Sequence, residues 1–238
     1  ALAGPLSRVR ADLQEIFGDR LVALVAHGPR VRHAEAQVAS AAAINTLALV
    51  EGLGYRDLSA CAQRAGDWRA DGLSVPLLLG RGEFLRSLDA FPVEYGDIIA
   101  DHVLVHGDDP FDGVAVNPDD LRRACEAWGK AHLIHLREGY VEAGGDARRV
   151  ASLVLASASP FAGLLSLMAR LRGFDAGGPG ALARATEGIA GLPAPVVAQV
   201  VALEARASLD ADTAMTLFPA YLDAVQALVA FLDGWTRS

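Results

Sequence analysis

The first half of the chain combines helical and strand-like hydrophobic patterns. Apolar residues at helical spacing predict an opening amphipathic helix whose buried face carries Leu6, Val9, Leu13 and Ile16. Three nearly continuous apolar runs follow at residues 20–26, 44–50 and 73–79, and such runs are typical of strands covered on both faces. We therefore expect a sheet with helices packed on its two sides.

Further elements are predicted around the third run. A helix before it has an apolar stripe formed by Leu58, Cys61, Ala65 and Trp68. A short helix is expected around residues 80–87. Residues 90–96, AFPVEYG, are predicted to form a fourth strand, because Phe91, Val93 and Tyr95 alternate with Glu94.

The second half has a different pattern. Asn117 followed by Pro118 and two aspartates combines a cap residue, a proline at the first helical position and acids at the positive end of the helix dipole. From there the pattern predicts only helices, at about 118–143, 146–172, 180–190, 194–208 and 213–235. The sequence thus predicts an α+β fold, with a mixed α/β sheet domain at residues 1–115 and an all-α helical bundle at residues 116–238.

Composition and charge narrow the classes of function. The chain has 238 residues, is 52% hydrophobic and has a net charge of −8. Its basic residues are scattered, which argues against a nucleic-acid-binding surface. Cys61 and Cys125 are isolated, so neither a disulfide scaffold nor a cysteine metal site is expected.

The sequence also bears on location. The opening residues, ALAGPLSRVRADLQ, lack the apolar core of a signal peptide. Residues 150–169 carry no charge over about the length of a membrane span. Their serines, Pro160 and Gly163, with arginines on both sides, favour a helix buried in a soluble bundle instead. We expect a cytoplasmic protein with no membrane span.

Three stretches of the sequence carry a resemblance to a known family. They are GDRLVALVAHGPR, SVPLLLGRGEFLRSLDAFPVEYGDI and HVLVHGDDPF, and the last is followed by the helix LRRACEAWGKAHLIHLREGYVEAGGD. With the order of a small mixed sheet followed by a helical bundle, they resemble the nucleotidyltransferase superfamily, which has the DNA polymerase β-like fold. The likeness is nearest to uncharacterised bacterial nucleotidyltransferase domain-containing proteins, distant relatives of the aminoglycoside nucleotidyltransferases.

The resemblance implies a catalytic pattern from which this chain departs. Active members of the family place a Gly-Ser turn after the first strand, an Asp-x-Asp pair on the second strand and a third carboxylate on a neighbouring strand, so that two magnesium ions can bind the triphosphate. Here Gly28 matches the glycine, but Pro29 replaces the serine. The two aspartate positions fall on Ala43 and Asn45, and Glu94 stands at the place of the third acid.

These departures predict a pseudoenzyme that keeps the fold, needs no cofactor and acts as a binding or interaction module. Its partner is expected to be a small molecule or a protein, and the helical half could form a homodimer. The alternative is a divergent enzyme that uses Mg²⁺ to transfer a nucleoside monophosphate from an NTP to a hydroxyl of a small molecule or protein, with Glu94 as one ligand and Glu51 or Asp97 as helpers. A third hypothesis is a protein that binds a small hydrophobic ligand in a cleft between the sheet and the bundle.

Several candidate residues have both a functional and a structural interpretation. Gly28 and Arg30 could bind an anion at the first turn, or the turn could simply connect two elements. Glu94 is either an acid in a ligand pocket or the solvent-facing residue of a half-exposed strand. His132 and His135 have one spacing of a helical metal pair, but they lie on or beside an apolar stripe, which favours core histidines.

Overall fold

The computed structural model describes residues 3–28, 31, 43–174 and 178–235. It divides the chain into two compact units, Ala1–Asn117 and Pro118–Ser238. Within the described residues there are four β-strands and nine α-helices, so the fold is of the mixed α+β type. All four strands belong to the first unit.

The first unit contains a four-stranded mixed sheet and four helices in its described part. In chain order its elements are α1 (Ala3–Phe17), β1 (Leu21–His27), β2 (Asn45–Val50), α2 (Tyr55–Ala70), β3 (Leu77–Gly80), α3 (Arg81–Arg86), α4 (Pro92–Ala100) and β4 (His102–Gly107). The strand order across the sheet is β3-β2-β1-β4. Strand β1 is antiparallel to both of its neighbours, and β2 is parallel to β3.

Both faces of the two central strands are buried, as their apolar runs predict. On one face, Leu24 and Ala48 pack with residues of α1 and α2 in a single core cluster. On the other face, Val25 and Leu47 pack with residues of α3 and α4. The alternation of side chains along a strand gives each central strand one set of apolar residues for each core.

Three predictions about the first unit are wrong in detail. Residues 90–96 form no strand, because Pro92 starts α4, in which Tyr95 and Ile98 are buried at helical spacing. The third strand begins at Leu77 and not at residue 73, although Leu73 still pairs with Ile44 in an isolated bridge. Leu58 is 46% exposed and does not share the buried side of α2.

The second unit contains five α-helices in its described part, close to the predicted bounds. They are α5 (Pro118–Ala143), α6 (Ala147–Leu171), α7 (Pro179–Ala190), α8 (Ala194–Val201) and α9 (Ala211–Gly234). The side chain of Asp146 caps α6 by accepting hydrogen bonds from two backbone N–H groups. Asp210 caps α9 by accepting from the backbone N–H and the hydroxyl of Thr213. Helix α8 is shorter than predicted, because the chain continues into a 3₁₀ turn at Ala202–Ala205.

Two helices of the second unit are long and apolar enough to span a membrane by length and composition alone. They are Ala147–Leu171 and Ala211–Gly234. Of the most apolar stretch of each helix, 50% is buried inside the structure in the first and 39% in the second. Core helices of soluble proteins pass the same test, so the finding is weak. The expected absence of a membrane span stays a prediction.

Candidate functional site

A row of three polar side chains crosses the sheet at the end of β1. His27 pairs with Asn45 on β2 and with His102 on β4, and both pairs are antiparallel. Directly opposite residues of antiparallel strands project their side chains to the same face at short range. We call His27, Asn45 and His102 the strand-end row. By alternation, Asn45 lies on the same face of β2 as Leu47.

Gly28 follows His27, the middle member of the row, and is where β1 ends. Its φ is +89°, a conformation that favours glycine. A Cβ at this position would lie 3.0 Å from the Nδ2 atom of Asn45. The carbonyl of Gly28 accepts a hydrogen bond of 3.0 Å from the N–H of Val31. The carboxamide of Asn45 therefore lies directly against the Gly28 turn.

A serine from the chain before β3 fixes the Asn45 side chain. The hydroxyl of Ser74 donates to Oδ1 of Asn45 at 2.9 Å, and the N–H of Ser74 donates to the carbonyl of Ile44 at 3.0 Å. Because Oδ1 is occupied by Ser74, the Nδ2 group faces Gly28. Ala43 is exposed immediately before this segment and offers only a methyl group.

The other end of the row is ordered by the loop that follows β4. Nε2 of His102 lies 3.4 Å from a carboxylate oxygen of Asp109. The N–H of Phe111 donates to the same carboxylate oxygen at 2.9 Å, and the Phe111 ring meets the imidazole edge to face with centroids 4.8 Å apart. These contacts hold the His102 ring and the loop together beside the row.

The three acids proposed for metal binding lie at different places in the first unit. Glu94 is exposed in the first turn of α4, so its predicted place on a neighbouring strand is wrong. Glu94 lies about 9 Å along the helix axis before the end of α4, and from there the chain leads into β4. Glu51 follows the far end of β2, about 20 Å from Asn45 along the strand. Asp97 lies in the last turn of α4, next to the start of β4.

Pro29 and Arg30 lie outside the described residues. The structure thus brings together Gly28 and Asn45 of the predicted site residues, with Ala43 beside them, but it does not bring Glu94 onto a strand of the sheet. Among the residues that the structure describes, no group of three or more His, Cys, Asp or Glu side chains could hold a metal ion.

The histidines of α5 are not a core pair. His132 is 5% exposed, and its Nε2 lies 2.7 Å from the hydroxyl of Tyr221. His135 has a side chain that is 79% exposed, so the core prediction is wrong for this residue. The cysteines are free, buried thiols, and burial raises the pKa of Cys125 to about 12, which keeps it an unreactive thiol at neutral pH.

Sequence reasoning missed the contributions of Ser74 and Asp109. Both act through contacts that depend on how distant segments are aligned, and neither residue is part of a local motif. The alignment of His27 with His102 depends on the pairing register of β4 with β1. Because β4 follows two helices, α3 and α4, no local pattern predicts this register.

No protein-family model and no curated protein sequence matches this chain. The resemblance to nucleotidyltransferases therefore stays a prediction from the sequence.

Proposed function

We propose that this chain is a nucleotidyltransferase-fold protein with a degenerate active site, which acts as a binding or interaction module and does not catalyse nucleotidyl transfer. The proposal rests first on the order of elements. Strand β1 ends in the Gly28 turn, and β2 begins beside it with Asn45. This is the juxtaposition that the family resemblance requires of its phosphate turn and its metal-binding strand.

The observation that carries the proposal is the chemistry of the Gly28 end of the sheet. At the two positions where the resemblance calls for aspartates, the chain has the methyl group of Ala43 and a carboxamide whose oxygen accepts from Ser74. A neutral amide holds Mg²⁺ much less well than a carboxylate, and an alanine cannot ligate a metal. The hydrogen bond from Ser74 to Oδ1 makes Asn45 a still weaker metal ligand.

A binding role remains compatible with the same geometry. The strand-end row presents two imidazoles and a carboxamide, and each member is partly accessible. These groups both donate and accept hydrogen bonds, so they suit an uncharged polar ligand or a peptide segment better than a triphosphate. A fold can keep such a surface after losing catalysis, because core packing and metal ligation depend on different residues.

The first experiment compares nucleotide binding and turnover with and without metal. We expect ATP, GTP, CTP and UTP at millimolar concentration to leave the melting temperature unchanged when Mg²⁺ is added, because a ligand that binds the native state must raise its stability. We also expect no pyrophosphate release. A Mg²⁺-dependent rise in melting temperature, or metal-dependent pyrophosphate release by the unmodified protein, would overturn the proposal.

A double variant tests the assignment of the two positions. Ala43→Asp with Asn45→Asp should introduce a Mg²⁺-dependent stabilisation by nucleotide. The matched control, Ser59→Asp with Ala62→Asp, adds the same charge on the exposed side of α2 and should not. If the folded double variant behaves like its control, the placement of the two metal positions is wrong.

One observation favours a second candidate, the divergent Mg²⁺-dependent transferase. Asp97 lies in the turn of α4 that leads into β4, near His102 of the strand-end row. A transferase that had recruited a new acid would draw on this position more readily than on Glu94 or Glu51. If pyrophosphate release is observed, Asp97→Asn should abolish it and Glu94→Gln should leave it unchanged.

A further inference from the structure

A groove between the first two helices of the second unit has the features of a small-molecule site. It has a volume of about 360 Å³ and lies between α5 and α6. Its wall is mainly apolar and includes Trp128, Leu136, Leu153 and Pro160. Ligand pockets in proteins are typically about 300–1,000 Å³, largely apolar and equipped with a few fixed polar groups.

The most informative polar group in the groove is His132. The residue is 5% exposed and nevertheless forms part of the groove wall. Its Nε2 is engaged by the Tyr221 hydroxyl at 2.7 Å. Within the described part of the chain, Nδ1 has no hydrogen-bond partner, and it is not completely shielded from solvent. The free nitrogen is therefore accessible from the groove.

The surroundings of His132 fix the plane of its ring and occupy one of its two nitrogens. The imidazole stacks on Phe161, with centroids 5.7 Å apart and an angle of 17° between the planes. Nε2 lies 2.7 Å from the hydroxyl of Tyr221, and this hydroxyl also lies 3.5 Å from the carbonyl of Ser157, to which it can donate. Nε2 is therefore occupied in either tautomer of the imidazole, and Nδ1 is the ring nitrogen that is left for a ligand.

A second polar group lies on the opposite wall. Pro160 is inside α6 and has no N–H, so the carbonyl of Ala156 lacks its regular helical hydrogen bond. Both residues line the groove. A ligand that reaches across the groove would meet Nδ1 of His132 on one wall and an acceptor, the Ala156 carbonyl, on the other.

The groove favours an uncharged ligand. None of the residues that line it is Asp, Glu, Lys or Arg. Burial, with a smaller effect of His135, lowers the pKa of His132 to about 4, so its imidazole is neutral at pH 7. The other histidine of the wall, His135, is 79% exposed. A charged ligand beside His132 would lose its hydration without gaining a buried opposite charge.

The flat wall formed by Trp128 selects for shape. The edge of its indole rests on Gly163, where a Cβ would lie 3.0 Å from Cη2. A Cβ at residue 163 would crowd the ring, so glycine lets the indole lie this close to α6. A planar ring is the shape that stacks on such a wall with the least loss of contact.

We propose that the groove between α5 and α6 binds a small, uncharged aromatic carboxamide, whose amide group hydrogen-bonds to Nδ1 of His132 and donates to the Ala156 carbonyl. A carboxamide both donates and accepts, so it can pair with Nδ1 in either tautomer of the imidazole. The aromatic ring packs against Trp128 and Leu153. This site belongs to the second unit alone, and it is independent of the strand-end row and of the proposed loss of catalysis.

The test uses the full chain and three probes, benzamide, benzoate and isopropylbenzene. The side-chain nitrogens of ¹⁵N-labelled histidines are followed by NMR, and the His132 signals are assigned by their loss in His132→Gln. Benzamide should shift the His132 Nδ1 signal saturably, with a dissociation constant on the order of 1 mM. The other two probes should bind at least tenfold more weakly, because one is charged and the other has no polar group.

Matched variants locate the site. Ala131→Leu places a larger side chain in the groove and should weaken benzamide at least tenfold, whereas Ala127→Leu, one turn earlier on the same exposed side of α5, should leave binding unchanged. No benzamide shift at His132, equal binding of benzoate, or equal effects of the two leucine variants would each overturn the proposal.

Discussion

The contact between Gly28 and Asn45 can be measured as a coupling energy. Gly28→Ala forces an alanine into a backbone with φ of +89°, which costs about 1–2 kcal/mol for an L-residue. Replacing glycine also reduces the conformational entropy of the unfolded chain, which stabilises the folded state by about 0.4–1 kcal/mol. Backbone strain alone therefore leaves a net cost of about 1 kcal/mol.

The carboxamide of Asn45 adds to this cost. The new methyl would lie 3.0 Å from Nδ2, inside ordinary van der Waals contact, and the amide cannot swing away without lengthening its 2.9 Å bond to Ser74. Residues in direct contact typically show coupling energies of about 0.5–3 kcal/mol. We expect Gly28→Ala to cost about 2 kcal/mol in the natural sequence and about 1 kcal/mol when Asn45 is already alanine.

Native-state hydrogen exchange is the suitable assay, because the chain has two units and a single melting curve would mix them. The slowly exchanging amides of β1 and β2 report the free energy of opening the first unit in the four proteins of the cycle. Ser59→Ala, on the exposed side of α2, should not couple to Gly28→Ala. A coupling near zero between Gly28 and Asn45 would refute the geometry on which the proposed function rests.

Three further predictions concern particular contacts. A hydrogen bond from Arg20 and, with a smaller effect, one from a backbone N–H lower the pKa of Asp57 to about 2. The stabilisation by the Asp57 carboxylate should therefore be lost as the pH falls from about 4 to about 2. Acid unfolding of Asp57→Asn should show no such loss. His132 titrates at about 4 in the fold and near 6.5 when unfolded, so the free energy of unfolding should fall by at most about 3 kcal/mol between pH 6.5 and 4, and His132→Leu should flatten this pH profile. Gly107→Ala should cost more than about 3 kcal/mol, because its Cβ would overlap the Val22 carbonyl. Gly113→Ala, also at positive φ but with open space around it, should cost about 1 kcal/mol, and native-state hydrogen exchange of the β1 amides measures both.

Local patterns predicted the elements whose burial is dictated by the chain itself. The apolar runs of β1 and β2 indicated strands buried on both faces, and the cap at Asn117 with Pro118 placed the start of α5 at the observed residue. These signals suffice because a strand buried on both faces and a helix with a clear cap leave few alternatives.

The segment around Glu94 shows where pattern reasoning fails. Phe91, Val93 and Tyr95 alternate as in a strand, but Pro92 stands at the first position of α4, and Tyr95 with Ile98 supplies the helical contacts to the core. Short apolar segments satisfy both periods, and the sheet decides between them. Phe91, at 51% exposed, contributes little to the core, which removes the strand interpretation.

The candidate sites depend on long-range contacts that no local pattern contains. Ser74 reaches Asn45 across 29 positions, and His132 meets Tyr221 across 89. The sequence identified Gly28, Asn45 and His132 as notable residues, but it could not show that Oδ1 of Asn45 is occupied or that Nδ1 of His132 is open. Both properties arise from tertiary packing.

The measurement that tests the central claim most directly is paramagnetic broadening by Mn²⁺ in the presence of ATP. The ion replaces Mg²⁺ in carboxylate sites and broadens the amide signals of nearby residues. We predict that the Gly28 and Asn45 signals broaden no more than those of exposed residues on α2. Selective, saturable broadening of Gly28 and Asn45 would show that a metal and triphosphate bind at the end of β1, and it would contradict the proposed loss of the catalytic site.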